Sequence, residues 1–311
     1  MVRFFVRRVL WMIPTLLGVL AVLFSLNYLC RDDPRGSLMR ADFSGVDYAA
    51  PAHADDGLAE IFLREYGAYC LGVFTRFDFG ISRTANQPVG QMLKERFRPT
   101  LVISLLGTVL AAVIGIPLGI ASATRRGTLL DRVATSTSLI GASVPCFFLA
   151  LVLILLFVQR LGWLRAWGVY RWQDYILPVV SVGLAPVANI VRMMRSSMLE
   201  VIRQDYVRTA RSKGLSEANV LCRHCVRNAV IPALTVIGMQ VGSIMGTSVI
   251  VEAIFSINGI GMTTYNAILV CDWPLMMGAI TLICMTVSVV NLAVDLAYAR
   301  IDPRIGETYR R

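Results

Sequence analysis

Six stretches of the chain hold apolar residues over lengths that match a bilayer: Val9 to Leu29, Leu101 to Ala123, Val133 to Val158, Ile176 to Met194, Val230 to Val251 and Leu275 to Ala299. A helix needs about 20 such residues to cross the hydrocarbon layer, so each run predicts a membrane-spanning helix. The fourth is the least regular, because Pro178 and Pro186 fall within it. Three polar intervals separate the runs. Cys30 to Pro99 is turn-rich up to Gly57; from Leu58 to Phe74, Leu58, Ile61, Phe62, Glu65 and Tyr69 recur at helical spacing and predict a helix on the membrane surface. Gln159 to Tyr175 gathers Trp163, Trp167, Tyr170, Trp172 and Tyr175, the composition of an interfacial aromatic belt. Arg195 to Asn228 spreads charges among Val201, Tyr206, Val207, Ala210, Leu215, Val220, Leu221 and Val226. It predicts two short amphipathic helices hinged near Gly214 to Ser216, with Ser216 as N-cap of the second.

An apolar content of 56% and a mean hydropathy of +0.64 exclude an ordinary soluble domain of 311 residues. The net charge of +10 would suit a nucleic-acid binder, but its distribution decides otherwise. With the N-terminus inside, Arg3, Arg7, Arg8, Arg125, Arg126, Arg132, the block from Arg192 to Arg227, Arg300, Arg304, Arg310 and Arg311 all fall on one side. Opposite them, the short loops carry only Arg160, Arg165 and Arg171. The 30–99 segment is long enough to translocate regardless of its charge. This bias predicts both termini in the cytoplasm and no nucleic-acid partner. The first run is too long for the apolar region of a leader and no small-x-small site follows it, so it is expected to remain as an anchor.

Seven cysteines do not make a disulfide framework in a chain of this size. Cys146 and Cys284 lie in spans, while Cys30, Cys70 and Cys271 fall on the outer side, where a bridge is possible and its pairing open. Cys222, His224 and Cys225 suggest a metal cluster, yet helix positions two apart face different ways, so a structural role and no metal site are expected. Glu252 and Asp295 sit near span ends and are read as structural or gating acids. Neither lysine fits a phosphate-binding loop, which needs Gly before Lys and Ser or Thr after it: Lys94 follows Leu93 and Lys213 follows Ser212. The chain is therefore expected not to hydrolyse nucleotide itself. Two histidines on opposite sides and uncharged span centres argue against a membrane enzyme and an ion-coupled secondary transporter.

The stretch Asp205-Tyr206-Val207-Arg208-Thr209-Ala210-Arg211-Ser212-Lys213-Gly214-Leu215, continuing through Arg223-His224 and Arg227-Asn228-Ala229 to Ile231-Pro232, resembles the EAA loop of binding-protein-dependent ABC importer permeases. The resemblance is to the dipeptide/oligopeptide/nickel permeases in particular, whose general glutamate and first alanine are commonly replaced, as by Arg208 and Thr209 here. In the same order stand Met1 to Arg8 before Pro14, Asp78-Phe79-Gly80-Ile81-Ser82 before Pro88-Val89, Arg195-Ser196-Ser197-Met198-Leu199, Glu252 before Ile254-Phe255 and Gly259-Ile260-Gly261, and Asn291 and Asp295 before Asp302-Pro303-Arg304-Ile305. Asp32-Asp33-Pro34 departs from the family's Gly-Asp-Pro.

The resemblance implies an all-α polytopic membrane protein of the type I ABC importer permease fold. Its six transmembrane helices divide into residues 1–29 (N-terminus and first span), an extracytoplasmic segment 30–99, a core 100–299 that includes the coupling loop 195–228, and a cytoplasmic tail 300–311. It implies a non-catalytic subunit of the bacterial inner membrane that carries short peptides by alternating access, with nickel or a metal chelate as the alternative solute and no cofactor. The implied partners are a second homologous permease, two separate ATP-binding subunits, an extracytoplasmic solute-binding protein and membrane lipid. Docking of the ATPase falls to Tyr206, Arg208, Thr209, Ala210, Lys213, Gly214, Leu215, Arg223, His224, Asn228 and Pro232, with Gly214 permitting a sharp turn, Ala210 close packing and Leu215 an apolar anchor.

Overall fold

A computed structural model describes residues Val2–Leu29 and Leu58–Ile301. The turn-rich start of the outer segment, with Cys30 and Asp32-Asp33-Pro34, and the tail from Asp302 lie outside the described residues. The helices are α1 (Val2–Leu29), α2 (Leu58–Arg76), α3 (Val89–Thr124), α4 (Leu129–Ser143), α5 (Cys146–Leu153, continued by a π-helical stretch Ile154–Arg160), α6 (Ile176–Val201), α7 (Asp205–Ser212), α8 (Arg227–Ile254), α9 (Ile260–Leu269) and α10 (Trp273–Ile301). Among the described residues the only extended pairing is an isolated bridge between Ile81 and Pro88. Five of the expected spans lie in single long helices. Pro186 sits inside α6 without breaking it.

The third span departs from expectation. The apolar run Val133 to Val158 is broken between Ser143 and Cys146, where α4 and α5 meet at 93°. Val144 adopts extended backbone and Pro145 leads into α5, and a residue before proline is pushed away from helical geometry. Hydropathy cannot register this bend, because Val144 and Pro145 are themselves apolar. Helix α9, between the fifth and sixth spans, was also not expected.

The described chain clusters into two compact units. One contains residues 101–257, in which α6 is the central helix, packed by α8, α4 and α5. Small residues let α3 approach α6. A Cβ on Gly115 would meet Ile190 at 2.8 Å, and one on Gly119 would meet Met194 Cβ at 2.7 Å and the Val191 carbonyl at 2.9 Å. Gly107, Ala111, Gly115 and Gly119 recur every fourth position, a spacing that stacks small residues on one helix face and brings backbones together in membranes.

The other unit contains residues 6–100 and 258–288. Its helix α2 forms as expected, but it packs against α1: Phe24 meets the rings of Phe62 at 5.4 Å and Tyr66 at 5.9 Å, and the Tyr66 hydroxyl donates to the Leu17 carbonyl at 2.7 Å. The segment Asp78 to Ser82 then folds onto the turn before α10. Buried Asp272 accepts the hydroxyls of Ser82 and Thr84, at 2.5 and 2.7 Å, and the amide N–H groups of Thr84 and Leu275. Burial pushes the Asp272 carboxyl up, and these four donors outweigh it, holding it below its ordinary value. Cys70 is buried and Cys271 exposed; both are free thiols.

Candidate functional site

The loop that follows α6 is built from an inward apolar face and an outward polar one. In α7, Val207 and Ala210 are buried, and they join Met194 and Met198 of α6 with Val220, Cys225, Ala229 and Ala233 in one core cluster. Asp205, Tyr206, Arg208, Thr209 and Arg211, on the other faces of α7, are exposed. Helix α7 ends at Gly214, whose φ of +75° is left-handed backbone that a glycine enters without Cβ strain. Its N–H closes on the Arg211 carbonyl at 2.9 Å, and that of Lys213 on the Thr209 carbonyl at 3.1 Å. The chain then turns back so that all residues from Arg211 to Asn219 are exposed, a continuous knuckle with Leu215 as its apolar tip. Arg211 bridges the knuckle to Glu217, Nε to Oε1 at 2.7 Å.

The second half differs from two separate helices. Ser216 has the extended backbone of an N-cap, but its side chain makes no capping bond. The following residues run through a short α stretch, Glu217–Asn219, and a π-helical stretch, Val220–Val226, directly into α8. The outgoing arm of the knuckle is therefore continuous with a membrane-spanning helix. Asn228 ties the two arms together: its amide donates to the Tyr206 hydroxyl at 2.8 Å and to the His224 carbonyl at 3.2 Å. Arg223 is exposed, His224 half-buried, and Pro232 lies within α8, where its missing N–H leaves the Asn228 carbonyl without its usual helical donor. Cys222 faces solvent while Cys225 is fully buried, so the neighbouring Cys and His residues diverge.

The structure also shows a feature that the sequence reading missed. Asp131, at the start of α4 and nearly buried, receives Arg195 of α6 in a two-pronged pair, Nε to Oδ1 at 2.9 Å and Nη2 to Oδ2 at 3.0 Å. The Ser122 hydroxyl and the Gly127 N–H fill its remaining acceptor positions. One carboxylate thus fastens the end of α3, the turn after it, the start of α4 and the last turns of α6. The signal lay in Asp131 being the single acid between Glu95 and Asp174, amid Arg125, Arg126 and Arg132. At the far end of α8, Glu252 is wholly buried and accepts the Ser248 hydroxyl at 2.9 Å. A cavity of about 460 Å³, lined by Arg126, Leu199, Glu200, Arg203 and Gln204, opens beside the base of the loop.

Residues 115–307 match the family described as binding-protein-dependent transport system inner membrane component. A glutathione transport system permease protein, GsiC, of Salmonella choleraesuis is 34% identical over 305 residues, covering 98% of this chain and 99% of that protein. A dipeptide transport system permease protein, DppB, of Alkalihalophilus pseudofirmus is 34% identical over 333 residues, with 98% and 99% covered. Among solved structures, the inward-facing MetNI methionine ABC transporter superposes with a TM-score of 0.58 at 19% identity, over 68% of this chain and 97% of that one. An amino acid ABC transporter gives 0.51 at 15% identity, over 68% and 94%. At these identities the two structures speak for the fold.

Proposed function

The chain belongs to the family of binding-protein-dependent transport system inner membrane components, and from that premise we propose that it is one of two membrane subunits of an ATP-driven importer of short peptides. The observation that carries this reading is the knuckle: nine consecutive exposed residues, Arg211 to Asn219, mounted on a buried core that continues into α6 and α8. An exposed Leu215 at its tip suits an apolar cleft on a partner. Two ATP-binding subunits would dock beneath this chain and a second, homologous permease. Closure of the ATPase pair would push the knuckle as a lever, tilting the attached helices between outward and inward access.

The ATP is hydrolysed by the partners, since neither Lys94 nor Lys213 can belong to a phosphate loop. The charge bias supports placing the knuckle and both termini in the cytoplasm, with an extracytoplasmic binding protein delivering solute from the other side. Peptides are favoured as solute because the two similar permeases serve a dipeptide and glutathione, itself a small peptide. The test is co-purification of the tagged chain from its native membrane, wild type against Gly214→Glu. The wild type should bring down a second permease and the ATPases, and the variant should lose the ATPases alone. A chain that purifies by itself from intact membranes would refute the assembly.

A further inference from the structure

The exposed faces of α3 and α6 differ in chemistry. Along the middle of α3, from 101 to 123, the exposed positions Leu105, Leu106, Val109, Val113 and Pro117 are apolar, a surface suited to acyl chains. Helix α6 is the reverse. Beyond Ile176 its exposed residues are Asn189, Arg192, Ser196 and Glu200, spaced by three, four and four, so they form one stripe and every member is polar. Asn189 lies 13 residues from Ile176, about 20 Å along the helix, and nearly as far from Val201. In hydrocarbon the guanidinium of Arg192, one turn from Asn189, would be left without a counter-charge, so this stripe does not face lipid. Helix α8 carries a second exposed stripe of mixed kind, with Thr235, Met239, Ser243 and Thr247 at helical spacing.

Arg192 and Arg195 stand three positions apart and do different work. Arg195 is committed to Asp131, whereas no carboxylate of the described residues pairs with Arg192. Its Nη2 donates to Asn189 Oδ1 at 2.6 Å, which holds the guanidinium within the stripe and leaves its other N–H donors open. A planar guanidinium held this way matches a carboxylate with two parallel hydrogen bonds. In an exposed, wet setting such a pair is weak, as a conduit that must release its cargo requires.

We propose that Asn189, Arg192 and Ser196 form a solute-facing wall of the translocation path, and that Arg192 is the receptor for the terminal carboxylate of the solute. The proposal rests on the importer reading and extends it to a chemical class: peptides with a free C-terminal carboxylate, held by the one group all of them share, with the hydroxyl and methionine positions of α8 indifferent to their side chains.

The test uses inside-out membrane vesicles bearing the complete importer, in a chain whose Cys30, Cys222 and Cys271 are serine. Asn189→Cys, Ser196→Cys and, as the apolar control, Val113→Cys are labelled with a membrane-impermeant methanethiosulfonate. Positions 189 and 196 should react at least tenfold faster than 113. A millimolar dipeptide should slow labelling at 196 at least threefold, its C-terminal amide should not, and adding Arg192→Gln should abolish the protection. Labelling at 189 and 196 as slow as at 113 would show the stripe to be covered by lipid or protein and overturn the proposal. Equal protection by acid and amide, or protection that survives Arg192→Gln, would overturn the carboxylate role. ATP-driven dipeptide uptake by right-side-out vesicles of the parent chain separates the two layers. Uptake without protection sinks only the Arg192 assignment, and no uptake sinks the importer reading with it.

Discussion

Replacing Asp131 by Asn tests whether the Asp131–Arg195 pair is a fastener of the bundle. The carboxylate side chain is 8% exposed and Arg195 30%, and all the hydrogen bonds named for Asp131 converge on its two oxygens. An amide keeps one acceptor oxygen and, in either orientation, turns a donor toward a guanidinium N–H, together with the Ser122 hydroxyl or the Gly127 N–H. Removing one partner of a buried pair costs about 3–5 kcal/mol; the partial exposure of Arg195 moves the expectation to about 2–3 kcal/mol. Arg195→Met, which leaves the carboxylate with Ser122 and Gly127 only, should cost a similar amount. For a chain of 311 residues that is a fall of roughly 3–5 °C in the thermal midpoint, measured on the purified protein in lipid nanodiscs at one fixed scan rate. Asp131→Asn combined with Arg195→Met removes both charges and should end within about 1 kcal/mol of either single variant. Single variants that leave the midpoint unmoved, or a double variant whose loss is the sum of the two, would show that the pair is not acting as a unit.

Close helix approach predicts that Gly119→Ala destabilises by about 1–3 kcal/mol, since its Cβ would meet the Val191 carbonyl at 2.9 Å. Gly246→Ala, with nothing within 4 Å, should be neutral or slightly stabilising in the same thermal assay. At Gly214 the site is open but the backbone left-handed, so Gly214→Asn should keep ATPase co-purification near wild type while Gly214→Val loses most of it. Asp272 has a folded pKa below its unfolded one, so its contribution is present above the ordinary carboxylate range and lost as pH falls through it. The midpoint of the wild type should therefore drop more steeply than that of Asp272→Asn between pH 6 and pH 3. Parallel pH profiles would count against the clasp formed with Ser82 and Thr84.

The spans were legible because the bilayer imposes one simple requirement, about 20 apolar residues in a row, and α1, α3, α6, α8 and α10 each satisfy it. What composition could not show is direction. The bend at Val144 and Pro145 occurs within an apolar run, and the merger of Glu217–Asn219 with α8 requires only that the chain not turn after Val226. The residues proposed to dock the ATPase were reached through motif likeness, and the structure adds their division into faces, with Val207 and Ala210 inward and Tyr206, Arg208 and Thr209 outward. The Asp131–Arg195 pair was invisible for another reason: its members are 64 residues apart and no periodicity links them. Arg192 and Arg195 looked alike as positive-inside charges; three helix positions place them about 60° apart around α6, enough to half-bury one beside Asp131 and expose the other.

That difference bears on how a push at the knuckle would travel. The tip from Arg211 to Asn219 touches solvent along its whole length, whereas Val207, Ala210, Val220 and Cys225 just behind it share a close-packed cluster with Met194 and Met198 of α6 and Ala229 and Ala233 of α8. Packed cores deform little, so a load on the tip moves these helix ends together instead of being absorbed in the loop. At the same level Arg195 ties α6 to Asp131 at the start of α4, so α4 is drawn into the same displacement. The polar stripe Asn189, Arg192 and Ser196 is carried on the helix that receives this load. A rigid shift of α6 by even part of a turn would therefore reposition the proposed solute-facing wall without any rearrangement inside it, which is the economy that alternating access by rigid-body motion requires.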